Sequence, residues 1–234
     1  MTGELMDWEA VYREHGVFVG RLAWNIGEAQ PEIAALIRAG KIRSDVLDAG
    51  CGVAELSLAL AAHGHTVVGI DLSGSAIALA ERAAKDRGLG TATFVQDDIT
   101  SFTGYDDRFN TVIDSTLFHS LPVEARDSYI RAVYRAAAPG ASYYVLVFAA
   151  SAFPVDIELP RGTPGTIPKL VTEEELREAV SQYWEIDEIR PASIHANLAD
   201  IFSLIPGISL DNYEFDEKRR LKIPSFLLTA HKAG

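Results

Sequence analysis

Apolar residues come in short blocks along this chain, and two kinds of block alternate. Val46-Leu47, Thr66-Val67-Val68-Gly69-Ile70, Ala92-Thr93-Phe94-Val95, Phe109-Asn110-Thr111-Val112-Ile113 and Ser142-Tyr143-Tyr144-Val145-Leu146-Val147-Phe148 are compact runs rich in β-branched and aromatic residues. They read as five short strands. Between them lie stretches of helical character. Leu56, Leu58, Leu60 and Ala61 continue to a stop at Gly64, and Ala76 to Arg87 sets Ile77, Leu79, Ala80 and Ala83 on one side before Gly88. Pro122 opens a further helix, expected to run to Ala138 and to stop at Pro139-Gly140. Strands alternating with helices over short connections predict a parallel α/β sheet.

The flanks are less regular. Before the first strand, Trp8, Tyr12, Val17, Phe18 and Trp24 form an aromatic-rich arm, and Pro31 to Ile37 reads as a helix closed by Gly40. Packing explains Trp8 and Tyr12; Trp24 could equally pack or cover a ligand. After Phe148 four prolines between Ser151 and Pro168 predict a long lid-like loop. Thr172-Glu173-Glu174-Glu175 is a capping box for the last helix, and Trp184 to Ile194 and Ile223 to His231 are β-like. The expected organisation is a single domain over 1–234, with an arm and helix (1–40), a core (41–150), the loop (151–171), and a last helix and hairpin (172–234). The hairpin carries an insertion at 198–221, helical at Ala199 to Leu204.

The stretch Asp48-Ala49-Gly50-Cys51-Gly52-Val53-Ala54-Glu55 joins the first strand to the first core helix. Glycines here allow positive φ and close approach, and the helix start offers free N–H groups to an anion. Asp71 ends the second strand 21 residues after Gly50, near the spacing at which a carboxylate meets ribose hydroxyls. A dinucleotide fingerprint needs Gly or Ala where this chain has Glu55, which argues against a nicotinamide-dependent oxidoreductase. The loop after the fourth strand, beside the first in a doubly wound sheet, carries Ser115, Phe118 and His119.

Charge and cysteine content narrow the classes. A formal net charge of −12 opposes a phosphate backbone, so no nucleic-acid partner is expected. The six His and one Cys offer no metal-ligand cluster, so no metal is expected. The lone Cys51 and the absence of a long apolar run point to a cytoplasmic protein with no membrane partner.

The pattern Asp48-x-Gly50-x-Gly52-x-Ala54, with Asp71, Asp98-Ile99 and Asp114 in order and spacing, resembles class I S-adenosylmethionine-dependent methyltransferases over Asp45 to Phe148. Ala54 departs from the usual third glycine. Trp24-Asn25-Ile26-Gly27-Glu28-Ala29-Gln30-Pro31 resembles the W-x-x-G-x-x-Q-P run of the bacterial thiopurine-methyltransferase-like group. Asp114-Ser115-Thr116-Leu117-Phe118-His119 is similar to the matching loop of actinobacterial members that methylate heterocyclic toxins such as hydroxyquinolones.

The resemblance implies a doubly wound, Rossmann-like α/β fold with a seven-stranded, mostly parallel sheet and an antiparallel C-terminal hairpin. It implies S-adenosyl-L-methionine as cofactor, S-adenosyl-L-homocysteine as product, and a small aromatic heterocycle as acceptor at O, N or S, as in toxin detoxification. The implied cofactor-binding set is Trp24, Asp48, Gly50, Gly52, Asp71, Leu72, Asp98, Ile99, Asp114 and Ser115. Asp98 and Ile99 would meet the adenine, with Asp97 as alternative to Asp98. Ser115 would offer its backbone to the amino group of the tail, and Gln30 would fix the arm. Phe118, His119, Phe153 and His195 are the candidate substrate residues. His119 is the catalytic candidate, either as a general base or as an orienting group that moves no proton. The remaining alternatives are the oxidoreductase and a cofactor-binding regulator without turnover; the state is monomer or homodimer.

Overall fold

Val46 and Leu47 open β1 (Val46–Ala49), whose four residues are all buried because it lies between two parallel neighbours. This holds in a computed structural model, which describes residues 7–14, 24–153, 169–198 and 208–234. Those neighbours are β2 (Val67–Asp71) and β4 (Phe109–Ser115), with Ala49 level with both Ile70 and Asp114. β3 (Ala92–Gln96) and β5 (Ala137–Phe148) extend the parallel part outward. β6 (Glu185–Ala196), a two-residue β7 (Glu214–Phe215) and β8 (Leu221–His231) complete the sheet in the order β3-β2-β1-β4-β5-β8-β6, with β7 on β8. Only β8 runs against β5, β6 and β7. The eighth strand is the short β7, inside the stretch read as an insertion.

The strand order reverses between β1 and β4. In such a sheet, ligands bind outside the carboxyl ends at that switch point. Alternation along β5 sorts its side chains: Tyr144, Leu146 and Phe148 join the cluster with α2 (Pro31–Arg38) and α3 (Glu55–Ala62). Tyr143, Val145 and Val147 join the cluster holding Tyr129, Ile130 and Val133 of α5 (Arg126–Ala136) and Leu176 and Val180 of α6 (Glu173–Val180). α4 (Gly74–Asp86) packs on α3 through Leu58, Ala80 and Ala84. A short arm helix, α1 (Trp8–Glu14), lies on α4. Among the described residues no helix is long and apolar enough to cross a membrane.

Two boundaries differ from expectation. Pro122 leads into a single 3-10 turn, Val123–Ala125, and α5 ends at Ala136. Pro139-Gly140 then lies within β5 rather than ending a helix. The register jumps from Phe109↔Ala137 to Thr111↔Ser142, so extra β5 residues bulge out there, and a proline needs no ladder partner at a bulge. The helix expected at Ala199 to Leu204 and most of the loop expected at 151–171 lie outside the described residues.

Candidate active site

The turn after β1 holds its shape through backbone conformation. Gly50 and Gly52 have φ of +68° and +52°, and Ala54, at the N-cap of α3, has +68°. Gly50 and Cys51 both donate their N–H to the Ile70 carbonyl, at 2.8 and 3.0 Å. No side chain caps α3 at Ala54, in contrast to α4, where the Ser73 hydroxyl accepts from Ala76. With no side-chain cap at Ala54, the Glu55 and Leu56 N–H groups at the start of α3 are open to an anion.

Asp71 ties this turn to the next one. Its Oδ2 accepts from Gly52 N–H at 2.8 Å and its Oδ1 from Ser73 N–H at 2.9 Å. Burial raises its pKa and these backbone bonds oppose the rise. Leu72 follows with 61% of its surface exposed, an apolar side chain left uncovered at the carboxyl edge of the sheet. Across the β3 tip, Asp97 Oδ1 accepts from Asp98 N–H at 2.8 Å and Asp98 Oδ1 holds Thr100. Among the described residues nothing takes the Ile99 N–H. An exposed leucine, a ribose-matched carboxylate and a free amide beside an uncapped helix fit an adenosyl amino acid.

Two acidic residues of the expected set do not face that crevice. Asp48 is 2% exposed and accepts from the Ser57 hydroxyl at 2.6 Å, so it braces β1 to α3. Asp114 is fully buried, with its oxygens accepting from Leu117 N–H at 2.8 Å, Phe118 N–H at 3.3 Å and the Tyr129 hydroxyl at 2.8 Å. It holds the loop after β4 from beneath and has no face toward a ligand. Burial pushes Asp48 up to about 6 and Asp114 up to about 7, despite these hydrogen bonds.

Both folded pKa values exceed the ordinary carboxylate value, so both groups contribute stability at low pH. That contribution is lost as pH rises from about 4 through about 7. Asp114→Asn, which keeps shape and an acceptor, should flatten this fall. Thermal melts should show the variant gaining on the parent between about pH 4 and about pH 7; an unchanged difference would refute it.

The loop held by Asp114 begins at Ser115, which is half-buried at the end of β4. Thr116 follows with φ +82°, a left-handed conformation that a β-branched residue adopts only under strain, at a cost of about 1–3 kcal/mol. Phe118 does not line an open slot: it is 1% exposed, packed on Tyr129 with the Arg126 guanidinium over its ring. Phe153 packs edge-on against Phe148.

His119 is 3% exposed and lies on the Phe148 ring, 4.4 Å between centroids. Its Nδ1 accepts from the Phe148 N–H at 3.2 Å. A backbone N–H can only donate, so Nδ1 carries no proton and the neutral ring holds its proton on Nε2. Burial, with the Arg126 charge added, lowers its pKa to about 3. Of the two expected roles, this geometry favours the orienting group: Nδ1 is taken by the Phe148 N–H and Nε2 is a donor.

The arm approaches the turn from the other side. Tyr12 is 7% exposed, and its Oη lies 2.7 Å from where a Cβ on Gly52 would stand. Trp24 meets Trp8 edge-on at 5.8 Å, and Trp8 in turn lies 6.5 Å from the Tyr12 ring. Glu9 reaches α4, accepting from the hydroxyls of Ser73 at 2.7 Å and Ser75 at 2.5 Å and from Ser75 N–H at 3.2 Å. The Ser75 and Ser73 bonds lower Glu9 to about 2. Sequence reasoning missed Glu9 and Tyr12 as site residues. Their i,i+3 spacing on one helix face was the available signal.

Gln30 ties the start of α2 to β6. Its side chain donates to the His195 carbonyl at 3.0 Å and accepts from His195 N–H at 2.8 Å. The His195 ring is bound to Asp216 at 2.8 Å, within a network that includes Arg220 and Glu28. Burial would raise Asp216, but bonds from Arg220 and His195 hold it well below the usual carboxylate range. His195 is a buried anchor rather than a free substrate ligand.

Residues 46–140 match a methyltransferase domain family. A 2-heptyl-1-hydroxyquinolin-4(1H)-one methyltransferase of Mycobacteroides abscessus is 52% identical, over 99% of this chain and 100% of the relative. The chain belongs to the S-adenosylmethionine-dependent methyltransferases. The methyltransferase also resembles a solved structure from work on converting a disulfide bond into a thioacetal group during echinomycin biosynthesis. The TM-score is 0.77 at 31% identity, covering 97% of this chain and 91% of that one. The 1,6-didemethyltoxoflavin-N1-methyltransferase of Burkholderia thailandensis, solved with its heterocycle and S-adenosylhomocysteine, shares the fold. Its TM-score is 0.63 at 18% identity, over 96% of this chain and 84% of that one. The methyltransferase therefore uses S-adenosyl-L-methionine and yields S-adenosyl-L-homocysteine, and the oxidoreductase and non-catalytic readings fall away.

Proposed function

We propose that this methyltransferase caps an acidic hydroxyl on a small aromatic heterocycle of the hydroxyquinolone kind, a reaction suited to disarming a heterocyclic toxin. The observation that carries this reading is the whole-length similarity to the hydroxyquinolone methyltransferase. In the crevice, Asp71 would accept from the ribose hydroxyls, Leu72 would cover the adenine and Ile99 N–H would meet a ring nitrogen. The turn at Gly50 and Gly52 and the start of α3 would hold the amino-acid tail, with the Ser115 backbone near its amino group. The cofactor supplies a methyl group on a positive sulfonium, open to in-line attack.

The chain's own contribution is placement. Holding acceptor and methyl group in line can be worth about 7 kcal/mol or more. His119 has no vacant nitrogen to take a proton, and Asp114 already carries three donors. The acceptor must then arrive ionised, which favours an acidic hydroxyl over an aliphatic alcohol. The Nε2–H of His119 would steady an oxygen of the ring system.

His119→Ala should lower kcat/KM about tenfold, the loss of one neutral hydrogen bond of about 1–1.5 kcal/mol. The pH profile should keep its midpoint, set by the acceptor; a lost acidic limb would restore the base reading. The reaction itself is tested with S-adenosylmethionine bearing a trideuterated methyl group. A 2-alkyl-1-hydroxyquinolin-4-one should gain one labelled methyl, and the analogue lacking the hydroxyl should stay unmodified. Label on neither, or on both alike, would contradict the proposal.

A further inference from the structure

The arm holds a buried hydroxyl whose proton has no acceptor among the described residues. Tyr12 is 7% exposed and packs against the Trp8 ring at 6.5 Å between centroids. Its phenol has one O–H to give. Its oxygen stands over Gly52, at 2.7 Å from the place of a Cβ, and no described side chain or backbone carbonyl receives it. A hydroxyl in this place is open to a partner that arrives later.

The surroundings define that partner. Beneath Tyr12 is the turn through Gly50 and Gly52, and beside it the first turn of α3 offers N–H groups without a side-chain cap. Three features therefore converge on one spot: backbone amides, the positive end of a helix and a phenolic donor. Each calls for an anionic acceptor. The Asp71 carboxylate, also near, already holds Gly52 and Ser73 N–H groups and faces the sugar side.

We propose that Tyr12 is a cofactor-binding residue whose hydroxyl donates to the carboxylate of the methionine tail, and that Glu9 is its positioning residue. Glu9 lies one turn earlier on the same face of α1 and fastens that helix to Ser73 and Ser75 at the start of α4. Gly52 then has a second reason to be glycine. Any Cβ there would push the Tyr12 hydroxyl off the turn. The arm is thus part of the cofactor site and not only packing on the sheet. This rests on the cofactor lying with its tail at the turn.

Calorimetry with two probes separates this role from a structural one. S-adenosylhomocysteine carries the tail; 5′-deoxy-5′-methylthioadenosine has the same nucleoside without it. Tyr12→Phe keeps the ring and removes the hydroxyl. It should weaken S-adenosylhomocysteine about ten- to a hundredfold, the range for a hydrogen bond to a charged group. Methylthioadenosine affinity should be unchanged. Equal weakening of both probes, or of neither, overturns the proposal.

Glu9→Ala leaves the hydroxyl in place but unmoors its helix, and should give the same probe-selective loss at smaller size. In the double variant the two losses should fall short of additive, because both act through one contact. Full additivity would detach Glu9 from Tyr12. If the wild-type chain itself binds both probes equally, the tail is not held at this turn, and the placement of the cofactor fails instead.

Discussion

Asp71→Ala should weaken S-adenosylhomocysteine binding about a hundred- to ten-thousandfold while the fold survives. A ribose presents two hydroxyls to one carboxylate, and each hydrogen bond to a charged group is worth about 1.5–3 kcal/mol. Losing two such bonds corresponds to that loss in affinity. Asp71 is also the group that joins Gly52 to Ser73, so the variant loosens the turn as well as removing the acceptor. The strand it ends is held by its neighbours β1 and β3 and does not depend on the carboxylate. Calorimetry gives the affinity and circular dichroism the fold. An unchanged affinity would remove Asp71 from the ribose position.

Gly50→Val should abolish measurable cofactor binding and activity. At φ +68° a non-glycine residue costs about 1–2 kcal/mol, and a branched one more. The added Cβ would also stand 2.8 Å from Leu117 Cδ1 and 3.0 Å from Leu117 Cβ. Leu117 sits in the loop held by Asp114, so the clash moves the cofactor turn and the acceptor loop together. Gly88→Ala is the control. It has nearly the same φ, +66°, but nothing within 4 Å of its new Cβ. That control should lower the melting temperature by a few degrees, about 2–4 °C per kcal/mol, and leave affinity intact. Equal binding by the Gly50 variant would contradict the role given to the turn.

Much of this was legible in the residues because it depends on local rules. A glycine pair between a buried strand and a helix, and a carboxylate at the next strand tip, are fixed by spacing along the chain. Asp71 ends β2, Leu72 follows it exposed, and Ile99 comes just after the β3 tip. The failures have a common cause: they depend on contacts between distant segments. Asp48 and Asp114 carry the family's acidic pattern, yet Ser57, Tyr129 and the loop amides turn them inward. His119 looks like a base until the Phe148 amide, 29 residues away, takes its Nδ1.

Pro139-Gly140 reads as a helix stop in isolation, and only the sheet reveals the bulge that admits it into β5. Glu9 finds Ser73 and Ser75 from 64 and 66 residues away, which no local pattern announces. Trp24, open between packing and cover, packs edge-on against Trp8.

A crystal structure of the chain with S-adenosylhomocysteine tests the central placement most directly. The ribose hydroxyls should lie on the Asp71 carboxylate, the adenine against Leu72 with a ring nitrogen at Ile99 N–H, and the tail at the turn through Gly50 and Gly52. A nucleoside bound elsewhere, or a tail directed away from that turn, would contradict it.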